Sequence, residues 1–439
     1  MLRSITLAAL AFATASLAAA PAIEESRSMQ SAGDGRFTMA LTGDSIITRR
    51  LSVYQEPEFL EMIGLLRGAD IAFTNLEMLF HDYEPYPMHQ SGGTYMRAAP
   101  SLVDELTWAG FDMVSRANNH TGDYGTLGMD LTTRYVDAAG LTQAGVGHSL
   151  AEAREAKFLE TAEARVALIS VASTFPDHSR AGRTRGDVPA RPGLNPLRFD
   201  TSYVVERDQL EALRDTMRGL GLNVPDDEDR LTFRGNRFVV ANASRQADYT
   251  IVTIHTHEGD GDRFVPAQFL VAFAHAMIDA GADIFVGHGP HVVRGIEFRN
   301  GKPILYSLAN FLFQNETLLR LPSDNYEPYD LDGDAHVADF NDRRYDNDTR
   351  GFPAQREIWE SVVAVAEWDG SRLADLRLHP ITLGFGESRM VRGRPMLASA
   401  ELGAKIIGDV IRLSEPFGTT VVYEDGVGRV ELPAPATEK

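Results

Sequence analysis

The sequence predicts an α/β fold with a buried sheet, and two observations support that prediction. Short apolar runs of strand length alternate with stretches of helical length along most of the chain. The runs are continuously apolar, which is typical of strands that lie inside the protein. With 439 residues, the chain is long enough to build a large hydrophobic core. We therefore expect an α/β domain with inserted loops.

The elements follow from these patterns in order. Apolar runs predict strands at residues 37–41, 71–74, 113–115, 166–170, 249–254, 284–286 and 304–308. Helical patterns between them predict helices at residues 58–66, 100–109, 127–139, 150–155 and 266–280. Near the end, residues 401–413 predict a helix, and residues 419–432 predict a hairpin that turns at Asp425-Gly426.

Two long segments interrupt this alternation. Residues 175–246 predict a loop rich in Pro, Arg and Gly, a helical piece at 206–220 and a hairpin at 230–241. Residues 315–355 predict a loop rich in Asp and Tyr. Loops of this length inside a compact domain are usually lids or binding elements. We assign residues 37–415 to one domain with these two insertions, and residues 416–439 to a C-terminal hairpin and tail.

The first residues predict export. Residues 1–20 (MLRSITLAALAFATASLAAA) have one arginine, an apolar run and small residues before Pro21, as in a secretory signal peptide. A transmembrane anchor needs roughly 20 predominantly apolar residues, and this run is shorter and rich in alanine. Residues 21–36 are a polar linker. The predicted location is periplasmic or extracellular without an integral membrane span, and a retained N-terminal anchor is the alternative.

Composition excludes several partners and site chemistries. The 42 Lys and Arg residues against 62 Asp and Glu residues give a formal charge of −20. Nucleic acids and anionic membrane surfaces need a basic face, so neither is an expected partner. The chain has no cysteine, which excludes disulfides, thiolate metal sites and cysteine nucleophiles. Any metal ligands must be His, Asp, Glu or Asn.

Polar residues of metal-ligand type follow five of the predicted strands. The clusters are Gly43-Asp44, Asn75-Leu76-Glu77, Asn118-Asn119-His120, His255-Thr256-His257-Glu258 and Gly287-His288-Gly289-Pro290-His291. Singly, each cluster has a structural explanation as turn residues or a packed histidine. Ligands bind beyond the carboxyl ends of strands in open α/β sheets, so the joint occurrence predicts one site at a common edge.

The residue types indicate which metal and which chemistry. Histidine, carboxylate and asparagine ligands suit zinc, manganese or iron rather than calcium. Two ions about 4 Å apart, bridged by one carboxylate, hold a hydroxide and stabilise a tetrahedral or phosphoryl transition state. Glu77 is the best candidate for the bridging acid. The sequence therefore predicts one or two divalent transition metals.

Ordered motifs along residues 37–415 carry a family resemblance. They read LTGDSIITRR, ADIAFTNLE, AGFDMVSRANNHTGDYG, AGVGHSLAEAR, RPGLNPLR, HTHEGD, GADIFVGHGPHVV and GKPILYSLANF. The chain resembles the bacterial capsule-synthesis CapA (poly-γ-glutamate, PGA_cap) family, a branch of the calcineurin-like metallophosphoesterases. The resemblance implies a metallophosphatase-like four-layer αββα sandwich with metals at the sheet edge.

The resemblance also implies roles for individual residues. The implied metal ligands are Asp44, Glu77, Asn119, His255, His288 and His291, with Glu77 bridging and His120 acting as the acid on the leaving group. Three departures affect this set, and one is that His255-Thr256-His257-Glu258 stands where the family reads His-Trp-Gly before an acidic residue. Ile46 stands where the superfamily has a histidine, and Gly289 stands where the family has another. Two outcomes stay open: His257 supplies the missing ligand, or the site holds one tightly bound metal.

Four further residues are candidates for substrate binding. Arg49 and Arg191 can bind carboxylates or phosphates through two hydrogen bonds, and Asn118 and Asn310 lie in the family motifs. A solvated or ion-paired surface charge is the alternative for Arg49. The RPGLNPLR segment that holds Arg191 is otherwise explained as a rigid turn.

Two functions follow from this set of residues. The first is an exported metal-dependent hydrolase in which a metal-activated hydroxide acts on a phosphoester or an amide/polymer bond, in capsule or poly-γ-glutamate metabolism. Its substrate would be a small molecule or an anionic polymer. The alternative is a non-catalytic metal-binding or scaffold component of the exopolymer synthesis or export machinery. The ligand set favours the enzyme, because a binding protein has no use for both Asn119-His120 and a bridging acid.

Overall fold

The computed structural model describes residues 35–199 and 234–434, together with positions 212 and 216. The predicted signal peptide, nearly all of the predicted linker and nearly all of the helical piece at 206–220 lie outside the described residues. Within those ranges, no helix has the length and apolar character needed to cross a membrane.

Strands and helices alternate through most of the described chain. The strands are β1 (Arg36–Ile46), β2 (Ile71–Leu76), β3 (Leu79–Phe80), β4 (Arg97–Ala98), β5 (Met113–Ser115), β6 (Thr142–Ala144), β7 (Val146–Gly147), β8 (Lys157–Glu160), β9 (Arg165–Ala172), β10 (Gly193–Leu194), β11 (Tyr249–His255), β12 (Ile284–His288), β13 (Ile296–Arg299), β14 (Lys302–Leu305), β15 (Asn310–Phe313), β16 (Glu360–Asp369), β17 (Arg372–Thr382), β18 (Met396–Leu397), β19 (Val421–Glu424) and β20 (Val427–Val430). The α-helices are α1 (Pro57–Arg67), α2 (Val103–Ala109), α3 (Gly125–Ala138), α4 (Leu150–Ala153), α5 (Arg234–Ala243), α6 (Gln268–Asp279), α7 (Ser323–Tyr326), α8 (Val337–Tyr345) and α9 (Ala400–Ser414).

Most strands belong to two sheets. The larger sheet has the order β19-β20-β17-β16-β1-β2-β5-β6, with β15 beside β1 and β18 beside β17. Its strands β1, β2, β5 and β6 are parallel, whereas β16, β17 and β20 join antiparallel. The smaller sheet has the order β13-β14-β12-β11-β9-β8, and β9, β11, β12 and β14 are parallel. The carboxyl ends of the parallel strands in each sheet therefore lie at one edge.

The packing of alternate residues gives four layers. In β1, Met39 and Leu41 join a core formed by both sheets, whereas Ala40 packs in the core that α1 and α2 cover. In β9, Val166 faces the core between the sheets and Ile169 faces the core covered by α6. Successive strand residues point to opposite faces of a sheet. One face of each sheet therefore packs towards the other sheet, and helices cover its outer face. The predicted αββα sandwich is confirmed.

The structure corrects three predictions of local structure. Residues 234–241 of the predicted hairpin are helical instead, because α5 (Arg234–Ala243) places Val240 and Ala243, three residues apart, in the core with α6. The first four residues of that predicted hairpin, 230–233, lie outside the described residues. Residues 315–355 are not only a loop, since they contain α7 and α8. The strand predicted at 304–308 ends at Leu305, and the chain then crosses to the larger sheet as β15. The predicted C-terminal helix and hairpin are confirmed.

The end of β1 has two partners, and a glycine makes this possible. Asp44 lies in register with Asn75 of β2 and with Asn310 of β15. The Asp44 N–H donates to the Ala309 carbonyl oxygen at 2.9 Å. A Cβ atom on Gly43 would lie 1.9 Å from that same oxygen. Only glycine therefore allows the approach that aligns Asp44 with Asn310.

We expect Gly43→Ala to lower the free energy of unfolding by about 1–3 kcal/mol, because the new methyl group must displace buried backbone. Gly64→Ala is the matched control, since Gly64 lies in α1 and a Cβ atom added there would have no atom within 4 Å. The free energy of unfolding of that control should rise by about 0.5–1 kcal/mol, because alanine is more favourable than glycine in a helix interior. Urea unfolding measures both variants, and an unchanged unfolding free energy for Gly43→Ala would contradict the requirement for glycine.

Candidate metal centre

Histidines and carboxylates from both sheets meet at the strand ends. They form two groups, one of Asp44, His255 and His288 and the other of Glu77, His257 and His291. Within each group, one potential ligand atom from every residue lies within 4.8 Å of the others. All six residues come from the clusters that the sequence predicted. Each group can hold a metal ion.

Asp44 is completely buried and lies where the two sheets meet. Its Oδ1 accepts a hydrogen bond from Asn75 Nδ2 at 2.8 Å, and its Oδ2 accepts one from the Gly289 N–H at 2.9 Å. The Nδ1 atoms of His255 and His288 lie 3.5 Å and 3.4 Å from Oδ1. Burial alone would raise the pKa of Asp44, but the two imidazoles outweigh it and hold that pKa well below its usual range. The carboxylate of Asp44 is therefore ionised and available to a cation.

Three of the histidines, His255, His257 and His291, are held as neutral imidazoles. Burial is the largest cause that lowers the pKa of His255, to about 4, and it also lowers the pKa values of His257 and His291. His255 Nδ1 lies 3.1 Å from His288 Nδ1, and His255 Nε2 lies 3.0 Å from His257 Nε2. Neutral nitrogens facing one another so closely suit a shared or adjacent cation, because metal ligands must be deprotonated.

Asn310 sets the orientation of His291. The Asn310 Nδ2 donates to the Ile358 carbonyl oxygen at 2.9 Å, so its Oδ1 faces His291 Nδ1 at 2.8 Å as an acceptor. His291 therefore carries its proton on Nδ1 and leaves Nε2 unprotonated for a ligand bond. The His291 ring also contacts the rings of Phe313 and Phe352, with centroids 5.3 Å and 5.4 Å away.

A third aromatic ring, that of Trp359, packs against the ring of Phe313. Trp359 is buried, its ring centroid lies 5.5 Å from that of Phe313, and its Nε1 donates to the Phe352 carbonyl oxygen at 2.9 Å. His291 thus lies against an apolar wall, which fixes its ring plane by packing.

Glu77 lacks the partners that a buried carboxylate needs. Both of its oxygens are buried without a hydrogen bond from any described residue. Its Oε1 lies 3.6 Å from His255 Nε2 and 3.8 Å from His120 Nε2. Burial is the largest cause that raises the pKa of Glu77 well above its usual value, and the charges of Asp44 and Asp123 add to the effect. Because an unpartnered buried carboxylate is costly, this arrangement fits a bound cation.

Asn119 also has a buried side-chain oxygen without a hydrogen-bond partner among the described residues. Its Nδ2 donates to the Gly92 carbonyl oxygen at 3.0 Å, while its Oδ1 is buried without a partner among the described residues. An amide oxygen held this way can act as a neutral ligand for a metal ion. Amide oxygens, imidazoles and carboxylates are donors suited to a divalent transition metal.

His120 has a carboxylate partner that the sequence analysis did not assign. His120 Nδ1 lies 2.8 Å from Asp123 Oδ2, and Asp123 also accepts the N–H groups of Met96 and Gly92 at 2.8 Å and 2.9 Å. Asp123 therefore holds the Nδ1 proton of His120 and directs Nε2 towards Glu77. The sequence feature that indicates this pair is Asp123 itself, which follows His120 by three residues in the motif at 117–125.

Asn118 and Asn310, predicted to bind substrate, make their described contacts within the protein. Asn118 Nδ2 donates to the Leu76 carbonyl oxygen at 2.8 Å, and its Oδ1 accepts the His120 N–H at 3.1 Å. Asn118 thus joins β2 to the turn that carries His120. A contact of either asparagine with substrate stays a prediction.

The predicted arginines lie apart from the two ligand groups. The Arg49 guanidinium donates to the carbonyl oxygens of Met390 and Arg392. These bonds attach the segment that follows β1 to the loop between β17 and β18. Arg191 is exposed, and its Nε donates to the Arg180 carbonyl oxygen at 2.8 Å. No contact between either arginine and the six ligand residues is found in the described part of the chain.

Comparison with solved structures gives distant similarities. A hypothetical protein from Thermus thermophilus aligns with a TM-score of 0.37 and 12% identity, covering 78% of this chain and 98% of that chain. The NAD nucleotidase NadN of Haemophilus influenzae aligns with a TM-score of 0.32 and 9% identity, covering 86% of this chain and 56% of that chain.

Sequence relatives are much closer. The protein y4sH of Sinorhizobium fredii (strain NBRC 101917 / NGR234) is 40% identical over 438 residues, covering 90% of this chain and 93% of that protein. The capsule biosynthesis protein CapA of Bacillus anthracis is 26% identical over 285 residues, covering 63% of this chain and 60% of that protein. A probable polyglutamine synthesis accessory protein of Mycobacterium tuberculosis (strain ATCC 25618 / H37Rv) is 30% identical over 252 residues, covering 55% of each.

The family itself is identified by a match over more than half of the chain. Residues 38–315 match the family described as "Bacterial capsule synthesis protein PGA_cap". This match confirms the resemblance that the sequence motifs carried. The chain belongs to the bacterial capsule synthesis protein PGA_cap family.

Proposed function

We propose that the protein is an exported metal-dependent hydrolase that acts on a phosphoester or amide bond in capsule or poly-γ-glutamate metabolism. One observation carries the proposal: the unpartnered carboxylate of Glu77 lies between His255, in one ligand group, and His120, which is paired with Asp123. A site built only to bind an ion has no need of a histidine–aspartate pair directed at its ligands. Metal ligands combined with such a pair are suited to hydrolysis.

The ligand roles in this proposal follow the two groups. Asp44, His255 and His288 would hold one ion, and Glu77, His257 and His291 would hold a second. In this assignment, His257 is a ligand, and Asn119 adds its unpartnered amide oxygen. When bound, zinc, manganese or iron would supply positive charge that polarises the scissile bond and makes water more acidic at neutral pH.

The acid step is assigned to His120. Asp123 accepts a hydrogen bond from His120 Nδ1 and so holds the ring with Nε2 directed towards the ligand groups. Protonated His120 would then donate from Nε2 to the oxygen or nitrogen of the leaving group, and a proton from water would restore it. Asn118 holds the backbone of His120 in place through its Oδ1, so it is a positioning residue.

A first test is metal content. Purified wild-type protein should contain at least about one transition-metal ion per chain, and His255→Ala should lose it, because a methyl group cannot replace an imidazole ligand. His275→Ala is the control, since His275 lies on α6 and pairs with Glu297 at 2.8 Å, away from both groups. Elemental analysis gives the ion count. A wild-type protein without metal, and unaffected in stability by chelator, would contradict the proposed ligands.

A second test uses the raised pKa of Glu77. In the metal-free protein Glu77 should hold a proton above the usual pH range for glutamate, and an arriving cation must displace that proton. Metal affinity should therefore rise with pH between the usual glutamate pKa and the raised value, and binding should release a proton. Calorimetry in two buffers of different ionisation enthalpy counts the released protons. A metal affinity independent of pH throughout this range would contradict the assignment of Glu77 as a ligand.

The third test separates catalysis from scaffolding. His120→Ala should keep bound metal but lower kcat by about 10²–10⁴-fold on phosphoesters or γ-glutamyl amides with poor leaving groups, the range for a lost general acid. The loss should be smaller for nitrophenyl leaving groups, which need little protonation. Asp44→Ala should instead lose both metal and activity. Kinetics across a leaving-group series measures the difference.

Two outcomes would contradict this mechanism. Full activity of His120→Ala on poor leaving groups would remove the acid role from His120. Polymer production that survives both His120→Ala and Asp44→Ala, with no measurable turnover by the wild type, would instead support the scaffold function.

A further inference from the structure

A cavity of about 400 Å³ lies between α4, α5 and the segment at 180–198. Five arginines line it: Arg154, Arg180, Arg183, Arg191 and Arg198. The whole chain has only 42 basic residues against 62 acidic ones, so this local concentration of positive charge opposes the overall composition. None of the residues lining the cavity belongs to the two ligand groups of the metal centre.

Little in the described chain neutralises these charges. Within the described ranges, the five arginines form one ion pair, between Arg180 and Asp177 at 3.7 Å. The Asp177 side chain is 87% exposed. Arg154 faces the like charge of Arg183, and burial together with that charge lowers its pKa. Arg191 donates from Nε to the Arg180 carbonyl oxygen, and its guanidinium group has no ion pair within the described ranges. Among the described residues, the five guanidinium groups thus have a single, largely exposed carboxylate as ion-pair partner.

The backbone that carries the arginines is held in place. Gly182 accepts the Leu150 N–H at 2.8 Å and donates its own N–H to the Arg191 carbonyl oxygen at 2.8 Å. Asn195 is buried, donates through Nδ2 to the Ser170 carbonyl oxygen at 2.9 Å and lies 3.4 Å from Arg154 Nε through its Oδ1. The charges thus project from a fixed frame, which lowers the entropy lost on binding a ligand.

One neutral polar group adds to the cavity wall. Asn236, on α5, is 4% exposed and lines the cavity. Its Oδ1 is buried without a hydrogen-bond partner in the part of the chain that the structure describes. Because an amide oxygen accepts hydrogen bonds, Asn236 needs a donor, and only the arginines indicate an anion.

We propose that this cavity binds an anion that carries two or more carboxylate or phosphate groups. Guanidinium groups bind both kinds of group through paired hydrogen bonds, and five of them exceed what one such group can contact. The volume lies within the range of about 300–1,000 Å³ that is typical of small-ligand sites. The site does not depend on the proposed hydrolase activity.

The experiment measures binding of two defined probes, tripolyphosphate and tricarballylate, to the full chain by calorimetry at low salt. Both probes should bind more tightly than phosphate or acetate, because each can contact several arginines at once. The double variant Arg183→Gln/Arg191→Gln should weaken binding by about tenfold or more, since each lost charged hydrogen bond lowers affinity substantially. Both residues are exposed, so the fold should tolerate the changes.

Two controls locate the binding. Arg185→Gln is matched, because Arg185 lies in the same segment, is 78% exposed, pairs with Asp187 at 2.9 Å and does not line the cavity; it should bind the probes like the wild type. His255→Ala should also bind them normally, since it removes a residue of the metal centre only. A preference for tricarballylate would identify a polycarboxylate ligand, and a preference for tripolyphosphate a polyphosphorylated one.

Several results would overturn the proposal. They are no binding of either probe, equal binding by the double variant and the wild type, or loss of binding in His255→Ala. The last result would place the anion at the metal centre, and it would leave the hydrolase proposal standing.

Discussion

A carboxylate with no access to solvent has to be compensated by its neighbours, and at Asp44 those neighbours come from both sheets. Asn75 reaches it from β2, Gly289 donates from the turn after β12, and two imidazoles adjoin it from β11 and β12. A buried charge without such partners would be severely destabilising. The two sheets must therefore meet in one register at their carboxyl ends. The close approach of Ala309 to Gly43 is the backbone condition for that register.

Because each ligand group combines residues from distant parts of the chain, neither exists before the sandwich is complete. Asp44 and Glu77 come from the larger sheet, whereas the histidines of both groups come from the smaller one. A metal that binds only this assembled site stabilises the whole fold rather than one loop. The long segment at 173–198 extends from the candidate metal centre, where Thr174 accepts the His257 N–H at 2.8 Å, to the arginine cavity. Two chemically different sites thus share one structural element.

The sequence predicted the fold class and the residues at the strand ends because both depend on local patterns. Apolar runs identify buried strands, and polar residues directly after them are at one edge by topology alone. Other features depend on tertiary contacts. Residues 234–243 contain Phe-Val-Val, which favours a strand, yet packing beside α6 makes them helical. Sequence spacing does not define the direction of a side chain. It therefore could not predict the hydrogen bonds of Arg49 to loop carbonyl oxygens or the pairing of His120 with Asp123.

The apolar wall behind His291 includes a tryptophan, which is a fluorescent residue. Of the 3 tryptophans in the chain, Trp359 is linked to His291 through Phe313 and Phe352. Trp368 instead packs near Tyr249 in the core between the sheets, and Trp108 stacks on Phe59 beside α1. An ion held by His291 would therefore lie beside the aromatic rings that extend to Trp359. We expect a paramagnetic ion there to quench the emission of Trp359 more strongly than a closed-shell ion, so fluorescence would distinguish these classes of metal in the intact protein.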